Sequence, residues 1–480
     1  MKATLGCGTV WLCAVLFTAG AATHSAGLSA PEQAALERIS ADSLRGNLSF
    51  LASDALEGRG TPSRGLDVAA EFIAAQFRKA GLEPIGKDGS YFQTAKLLRV
   101  TPNLEGFQLT LRDGGDELEL PAGDIRVRSV AAVDFRDAAV VRLPEASEGG
   151  GVPAIRDKVV AGSMRRYGTE AALFKLQAER PALILLIGRS RERAEESWLE
   201  ERDAANAPVI RVTSEAVADA LGEHRELRVS VHVAAPRTEA VVARNVGGIL
   251  RGADAALRDQ YVLVTAHYDH LGLLPEGSPD RVYNGANDNG SGTVSVVEIA
   301  AALATLPVHP RRSVMFLALY GEEEGLLGAF YYTRHPVEPL RDTVADINLE
   351  QLGRTDEQSG AQVGSFSFTG PSYSNLPALM EDAAKQEGVK VYAKRGADAY
   401  FDRSDNYAFA LAGVVAHTIV VAYEFPDYHA AGDEWQKIDY PNMAKVDCGV
   451  AAGVIGIANR AERPGWSDAK EAAVYRGARK

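Results

Sequence analysis

Cysteine is scarce. Three residues in 480 cannot build a disulfide scaffold or a four-cysteine zinc site, and two of them, Cys7 and Cys13, lie in the N-terminal apolar stretch. Excess positive charge is missing too. The 51 lysines and arginines face 64 aspartates and glutamates, and a formal charge of −13 argues against a nucleic-acid binder, whose surface must neutralise phosphate. Beyond the N-terminus no apolar run approaches the roughly 20 residues that span a bilayer. There is no GxSxG elbow, which disfavours a serine hydrolase. HExxH is absent, which excludes the common single-zinc endopeptidase pattern. No GxGxxG stands between a strand and a helix, and no internal repeat is visible. What is present is ordinary for a globular protein with a large core: 46% hydrophobic residues exclude disorder throughout.

The N-terminus reads as an export signal. Lys2 is followed by the apolar run Val10 to Phe17 and by the small residues Ala19, Gly20, Ala21 and Ala22. Cleavage near residue 26 would leave Cys448 as the sole cysteine, with no internal disulfide and no stable membrane anchor. The expected product is secreted or periplasmic. Leu66, Ala69, Ala70, Ile73 and Phe77 then recur at helical spacing, with Gly81 as a stop. Beyond about residue 100 short β-branched runs appear: Lys158 to Ala161, Leu183 to Ile187, Val209 to Val212 and Leu227 to Val233. A helical segment near Thr169 to Glu179 sits among them, and Gly149 to Gly151 marks a loop. This texture suggests a separate small α/β module, without a cluster of histidine and carboxylate at ligand spacing.

From about residue 240 strands and helices alternate. Strands are expected at Tyr261 to Ala266, Ser313 to Tyr320, Val344 to Leu349 and Val414 to Val421, and helices at Val294 to Leu306 and Leu326 to Arg334. Such alternation implies an α/β fold with a mixed, mostly parallel sheet covered on both faces. Ligands then bind beyond the carboxyl ends of the strands. The chemically rich segments all fall there: His267-Tyr268-Asp269-His270, the loop Gly285 to Gly292 with Asp288, the run Gly321 to Gly325 with three glutamates, Glu350, and His429 in DYHAAGD. Alone, each has a plain reading as a turn, a loop or a solvated helix start. Five at one kind of structural position is a pattern that plain readings do not predict. Two histidines and three carboxylates suit zinc, with cobalt or manganese also compatible. One carboxylate can bridge two metals roughly 3.5–4 Å apart, and another left unligated can serve as general base for amide hydrolysis.

HYDHLG, GANDNGSG, GEEEGLLGA, NLEQLGR and DYHAAGD, in that order, resemble metallopeptidase family 28, the co-catalytic zinc aminopeptidases and their carboxypeptidase and glutaminyl cyclase relatives. The resemblance covers about 220 residues from Ala243 onward, plus the helix after LEGRGTPSRG. It implies two zinc ions, with Asp288 bridging, His267 and Glu350 completing one site, and Glu323 and His429 the other. It makes Glu322 the general base, Asp269 the residue that orients His267, and Tyr428 a candidate to hold the carbonyl oxygen. With the signal at 1–26, the resemblance divides the rest of the chain into a peptidase domain (27–104 and 238–465) interrupted by a protease-associated domain (105–237), and a tail (466–480). The implied activity is that of an exported aminopeptidase acting on peptides or small proteins with a free terminus. A carboxypeptidase or dipeptidase has the same metal set and stays open, as does a non-catalytic binding protein on this scaffold. A glutaminyl cyclase is disfavoured because both ligand pairs are intact. One departure stands out: relatives usually carry aspartate where this chain has Glu350, which puts substrate preference more in doubt than metal binding. Nothing in the sequence speaks to oligomeric state.

Overall fold

The architecture is that of a computed structural model. It describes residues 27–478 apart from 114–115, 145–153, 169, 189–196, 201–204 and 214–225. The expected signal segment and the Gly149 to Gly151 loop lie outside the described residues.

Four strands form the centre: Tyr261–His267, Ser313–Leu319, Thr343–Glu350 and Ala416–Val420. They are buried almost without interruption, which is what a sheet covered on both faces requires. All pair in parallel, Tyr261 opposite both Ser313 and Thr343, and Asp346 opposite Ala416. Alternate residues feed two cores, as the two-residue period dictates. Val262, Val264 and Ala266 pack with the helices Gly292–Leu303 and Tyr440–Asn459, whereas Tyr261 and Leu263 pack with Leu327–Arg334 and Asn406–Leu411. A short antiparallel strand, Ser365–Phe368, makes the sheet mixed on one side. Because the four central strands run the same way, His267, Leu319, Glu350 and Val420 end along one edge.

The helix Arg64–Lys79 covers the same face as Gly292–Leu303. Ser63 caps it by accepting from the Leu66 amide, and Leu66, Ala69, Ala70, Ile73 and Phe77 are buried as the spacing predicts.

Beyond the sheet, the chain does something the local patterns did not reveal. Phe92–Asp113 and Leu227–Leu250 form a long antiparallel ribbon, paired from Phe92–Val246 to Leu227–Asp113. One end of the ribbon continues the central sheet, where Val246 to Leu250 pair with Val314 to Ala318. The other end carries a smaller sheet of Val133–Arg142, Val159–Ser163, Leu183–Ile187, Val209–Val212 and Ile125–Arg128 with its own cores. Residues 105 and 237 both lie in the ribbon, so the chain passes between the cores along continuous strands. Pro102 and Gly106 interrupt this stretch. In the structure the register shifts between His232 and Arg237, opposite it, absorb the irregularity as bulges. Among the described residues no helix is long and apolar enough to cross a membrane.

Candidate metal centre

Five strand-end segments meet at that edge. The two oxygens of Asp288 face different histidines: Oδ1 lies 3.5 Å from His267 Nε2 and Oδ2 lies 3.1 Å from His429 Nε2. His267 Nε2 is also 3.9 Å from Glu322 Oε2 and 3.9 Å from Glu350 Oε1. His429 Nε2 is 3.3 Å from Glu323 Oε2. All of the residues expected at the centre are therefore brought together. Buried and without a hydrogen-bond partner, His267 Nε2 is an orphan in a polar pocket, a feature that calls for an explanation. The spacing supplies one. Tetrahedral ligand atoms about 2.0–2.2 Å from a zinc lie roughly 3.3–3.6 Å from one another, so these donors suit a metal better than they suit each other.

The structure adds a residue to which the sequence had assigned no task. His270 is fully buried, its Nδ1 lies 2.7 Å from Glu323 Oε1, and its Nε2 has no partner. Its donors group with Asp288 and Glu323, just as those of His267 group with Asp288 and Glu350. Burial, helped by the cation of Arg59, pushes the His270 pKa down to about 4, so its ring is neutral and can donate one proton to Glu323.

Crowding of acids sets the electrostatics. Burial and the neighbouring carboxylates of Glu323 and Glu350 push Glu322 well above the ordinary range, against the attraction of His267. Burial and Asp288 do the same to Glu323. Asp288 goes the other way: burial would raise it, but contacts with His267 and His429 outweigh that and hold it below the usual carboxylate range. Burial would lower His267, but Glu322, Asp269, Asp288 and Glu350 together raise it. A cluster this acidic is costly without cations.

The supports come from remote segments. Asp269 reaches His267 Nδ1 at 3.6 Å, and its carboxylate accepts from the amides of Glu322 (3.1 Å) and Glu323 (3.4 Å). Asp433, also in DYHAAGD, accepts from the amides of Asn287 and Asp288, each at 2.9 Å, and so fixes the loop that delivers Asp288. Arg59 is buried beneath both loops. It donates to the carbonyls of Tyr268 (2.8 Å), Asn284 (2.7 Å) and Gly285 (2.9 Å), and also to Leu51. The LEGRG motif exists to seat it: at Gly58, with φ +67°, a Cβ would stand 2.3 Å from the Gly272 carbonyl oxygen. Asp405 is a buried carboxyl with neither oxygen hydrogen-bonded, pushed up to about 8 by burial and by Asp269 and Glu350. Arg59 finds most of its carbonyl partners, and Asp405 its neighbouring charges, in distant segments.

Tyr428 is 46% exposed and stacks on His429 with ring centroids 4.0 Å apart. Beside Glu350 and Tyr428 lies a cavity of about 310 Å³, walled by Tyr400, Tyr423 and Phe425, with Arg403 among its polar residues.

Comparison with known proteins agrees with this geometry. Residues 245–454 match the family model of peptidase family M28. The chain is 25% identical over 459 residues to "Probable lipoprotein aminopeptidase LpqL" of Mycobacterium tuberculosis, covering 87% of this chain and 85% of that protein. It is 31% identical over 153 residues to aminopeptidase YwaD of Bacillus subtilis, covering 32% of this chain but only 30% of that one. Its fold matches that of an aminopeptidase from Aneurinibacillus sp. strain AM-1 at TM-score 0.54 and 19% identity, over 90% of this chain and 97% of the other. The chain thus carries, in residues 245–454, a domain of peptidase family M28.

Proposed function

We propose that this protein is an exported zinc aminopeptidase with two metal positions, removing N-terminal residues from peptides. The observation that carries the proposal is Asp288, whose two oxygens each face a different histidine while Glu322 stands at the same centre. His267, Asp288 and Glu350 would hold one zinc, and Asp288, Glu323 and His429 the other, with His270 orienting Glu323 through its second ring nitrogen. Zinc bound there polarises the scissile carbonyl and acidifies the attacking water.

The chain's own residues do the rest. Glu322 accepts a proton from the water as its oxygen bonds to the carbonyl carbon, then delivers that proton to the leaving amine as the C–N bond breaks. A carboxylate with a raised pKa suits both transfers. Tyr428 can donate a hydrogen bond from its hydroxyl to the carbonyl oxygen. The cavity beside Glu350 would take the side chain of the N-terminal residue, with the carboxylates of Glu322 and Glu350 near its ammonium. The relatives named aminopeptidases support this reading. Residues 1–26 would be removed on export, and residues 105–237 would form a protease-associated domain.

A carboxypeptidase or dipeptidase reading has one observation in its favour. Arg403 lines the cavity and pairs with no carboxylate among the described residues, lying instead over the Tyr400 ring. One experiment separates the two readings: the zinc-loaded protein is offered peptides with free and with acylated N-termini. The aminopeptidase reading expects release of N-terminal residues from free peptides only. Trimming of acylated peptides from the C-terminus would replace it.

A further inference from the structure

Three glutamates follow one another in the turn Gly321 to Gly325, and the metal centre uses only the first two. The third points elsewhere. Glu324 Oε2 accepts a hydrogen bond of 3.0 Å from the indole of Trp198, a residue of the inserted module. Trp198 belongs to the strand Ser197–Glu200, which lies outside the small sheet and pairs antiparallel with Leu97 to Val100 of the ribbon. It is 8% exposed and packs in the core of the peptidase domain, not in that of its own module.

The same strand grips a second point. Glu200 is buried, and its oxygens lie 2.9 Å from Arg334 Nε and 2.8 Å from His335 Nε2. Arg334 ends the helix Leu327–Arg334 and His335 is its C-cap, and this helix begins where the glutamate turn stops. The module therefore touches the turn at one end and the following helix at the other. On its opposite side the turn is held by Asp269, through the amides of Glu322 and Glu323. Between these supports the turn is tight: the amides of Gly325 and Leu326 both bond to the Glu322 carbonyl, and Gly321, Gly325 and Leu326 all have positive φ.

We propose that the strand Ser197–Glu200 is a clamp placed by the inserted module on the glutamate turn, with Trp198 a positioning residue for Glu322 and Glu323. The module is then part of the catalytic framework and not a detachable cover. The inference rests on the roles given above to Glu322 and Glu323. Those two side chains lie one and two residues from the clamped position, and small displacements of aligned groups are costly. Misplacement by about 1 Å can cost on the order of 100-fold in rate.

The test is a double-mutant cycle in the full-length chain. Trp198→Phe keeps an aromatic ring in the core and removes the N–H, while Glu324→Ala removes the acceptor. Each should lower kcat about tenfold with KM changed less than about twofold, and should weaken zinc at the Glu323 position about tenfold in a titration of metal-free protein. Glu324→Gln, whose amide oxygen still accepts, should recover at least roughly threefold of what Glu324→Ala loses. The double variant should be no more than about twofold worse than the weaker single one, because both changes break one contact. Native kcat and zinc affinity in Trp198→Phe, or losses that multiply in the double variant, would overturn the clamp. Should Trp198→Phe not fold, Glu324→Ala against Glu324→Gln reads the same contact. Should the native protein lack peptidase activity, the reading of the reaction fails, while the zinc titration still decides the clamp.

Discussion

The two halves of the proposed metal centre are built differently. The His267 half is made from strand ends: His267 and Glu350 close two parallel strands that lie side by side, and the His267 side chain is 0% exposed. The His429 half is made from turns. Glu323 sits in the glutamate turn, and His429 is on a loop with φ +53° and a side chain 36% exposed. Strand ends are fixed by the sheet, whereas loop ligands need their own supports, which here are His270, Tyr428 and the Trp198 contact. The histidine of one half is thus enclosed and that of the other lies at the rim, while Glu350 lines the neighbouring cavity.

The largest effect expected lies in neither half. Glu322→Gln should lower kcat by about 10²- to 10⁴-fold while both metal positions still fill, the usual scale for losing a general base. Steady-state kinetics alongside zinc analysis checks this, and loss of a zinc with the activity would make Glu322 a ligand instead.

Next comes a direct comparison of the halves. His429→Ala should leave one tightly held zinc, since the enclosed set His267, Asp288 and Glu350 is untouched, with activity down about 10- to 100-fold or more. His267→Ala should cost both metals, because it opens the buried half around Asp288. Equal zinc loss in the two variants would erase the distinction.

Arg59 supports both halves from below, and burial lowers its pKa to about 10 without discharging it at neutral pH. Arg59→Gln should destabilise the fold by roughly 3–5 kcal/mol, the scale for removing one partner from a buried charged network. Thermal or denaturant unfolding measures this, and a change below about 1 kcal/mol would show that the carbonyls find other donors.

The smallest effect concerns pH. Asp405 is raised from 3.8 to about 8 by burial, so its protonated form stabilises the metal-free fold. That stability is fully present below the ordinary aspartate pKa and is lost as pH rises towards about 8. Asp405→Asn should remove this loss, which unfolding of metal-free protein at pH 6 and pH 9 would reveal. An unchanged slope would assign the alkaline loss to Glu322 and Glu323, which shift in the same direction.

The enclosed half was also the more legible in the sequence. Buried strands such as Tyr261–His267 announce themselves as unbroken apolar runs, and a polar residue at the end of one is conspicuous. The ribbon was not legible, because Pro102 and Gly106 broke a strand that only its partner's bulges make possible. Arg59, Asp405 and Asp433 were missed as functional residues because their meaning lies in contacts between distant segments. His270 was quoted but left without a task, since its partner Glu323 is 53 residues away. Trp198 lay in a module that shows no catalytic pattern of its own, and only the folded chain brings it to Glu324.

Two unequal metal positions sharing Asp288 are proposed for this site. Titrating metal-free protein with zinc in the presence of a competing chelator tests it most directly. The expected result is two zinc ions per chain, the first bound more tightly, with only the second lost in His429→Ala. A single zinc per chain in the native protein, or none, would contradict the account.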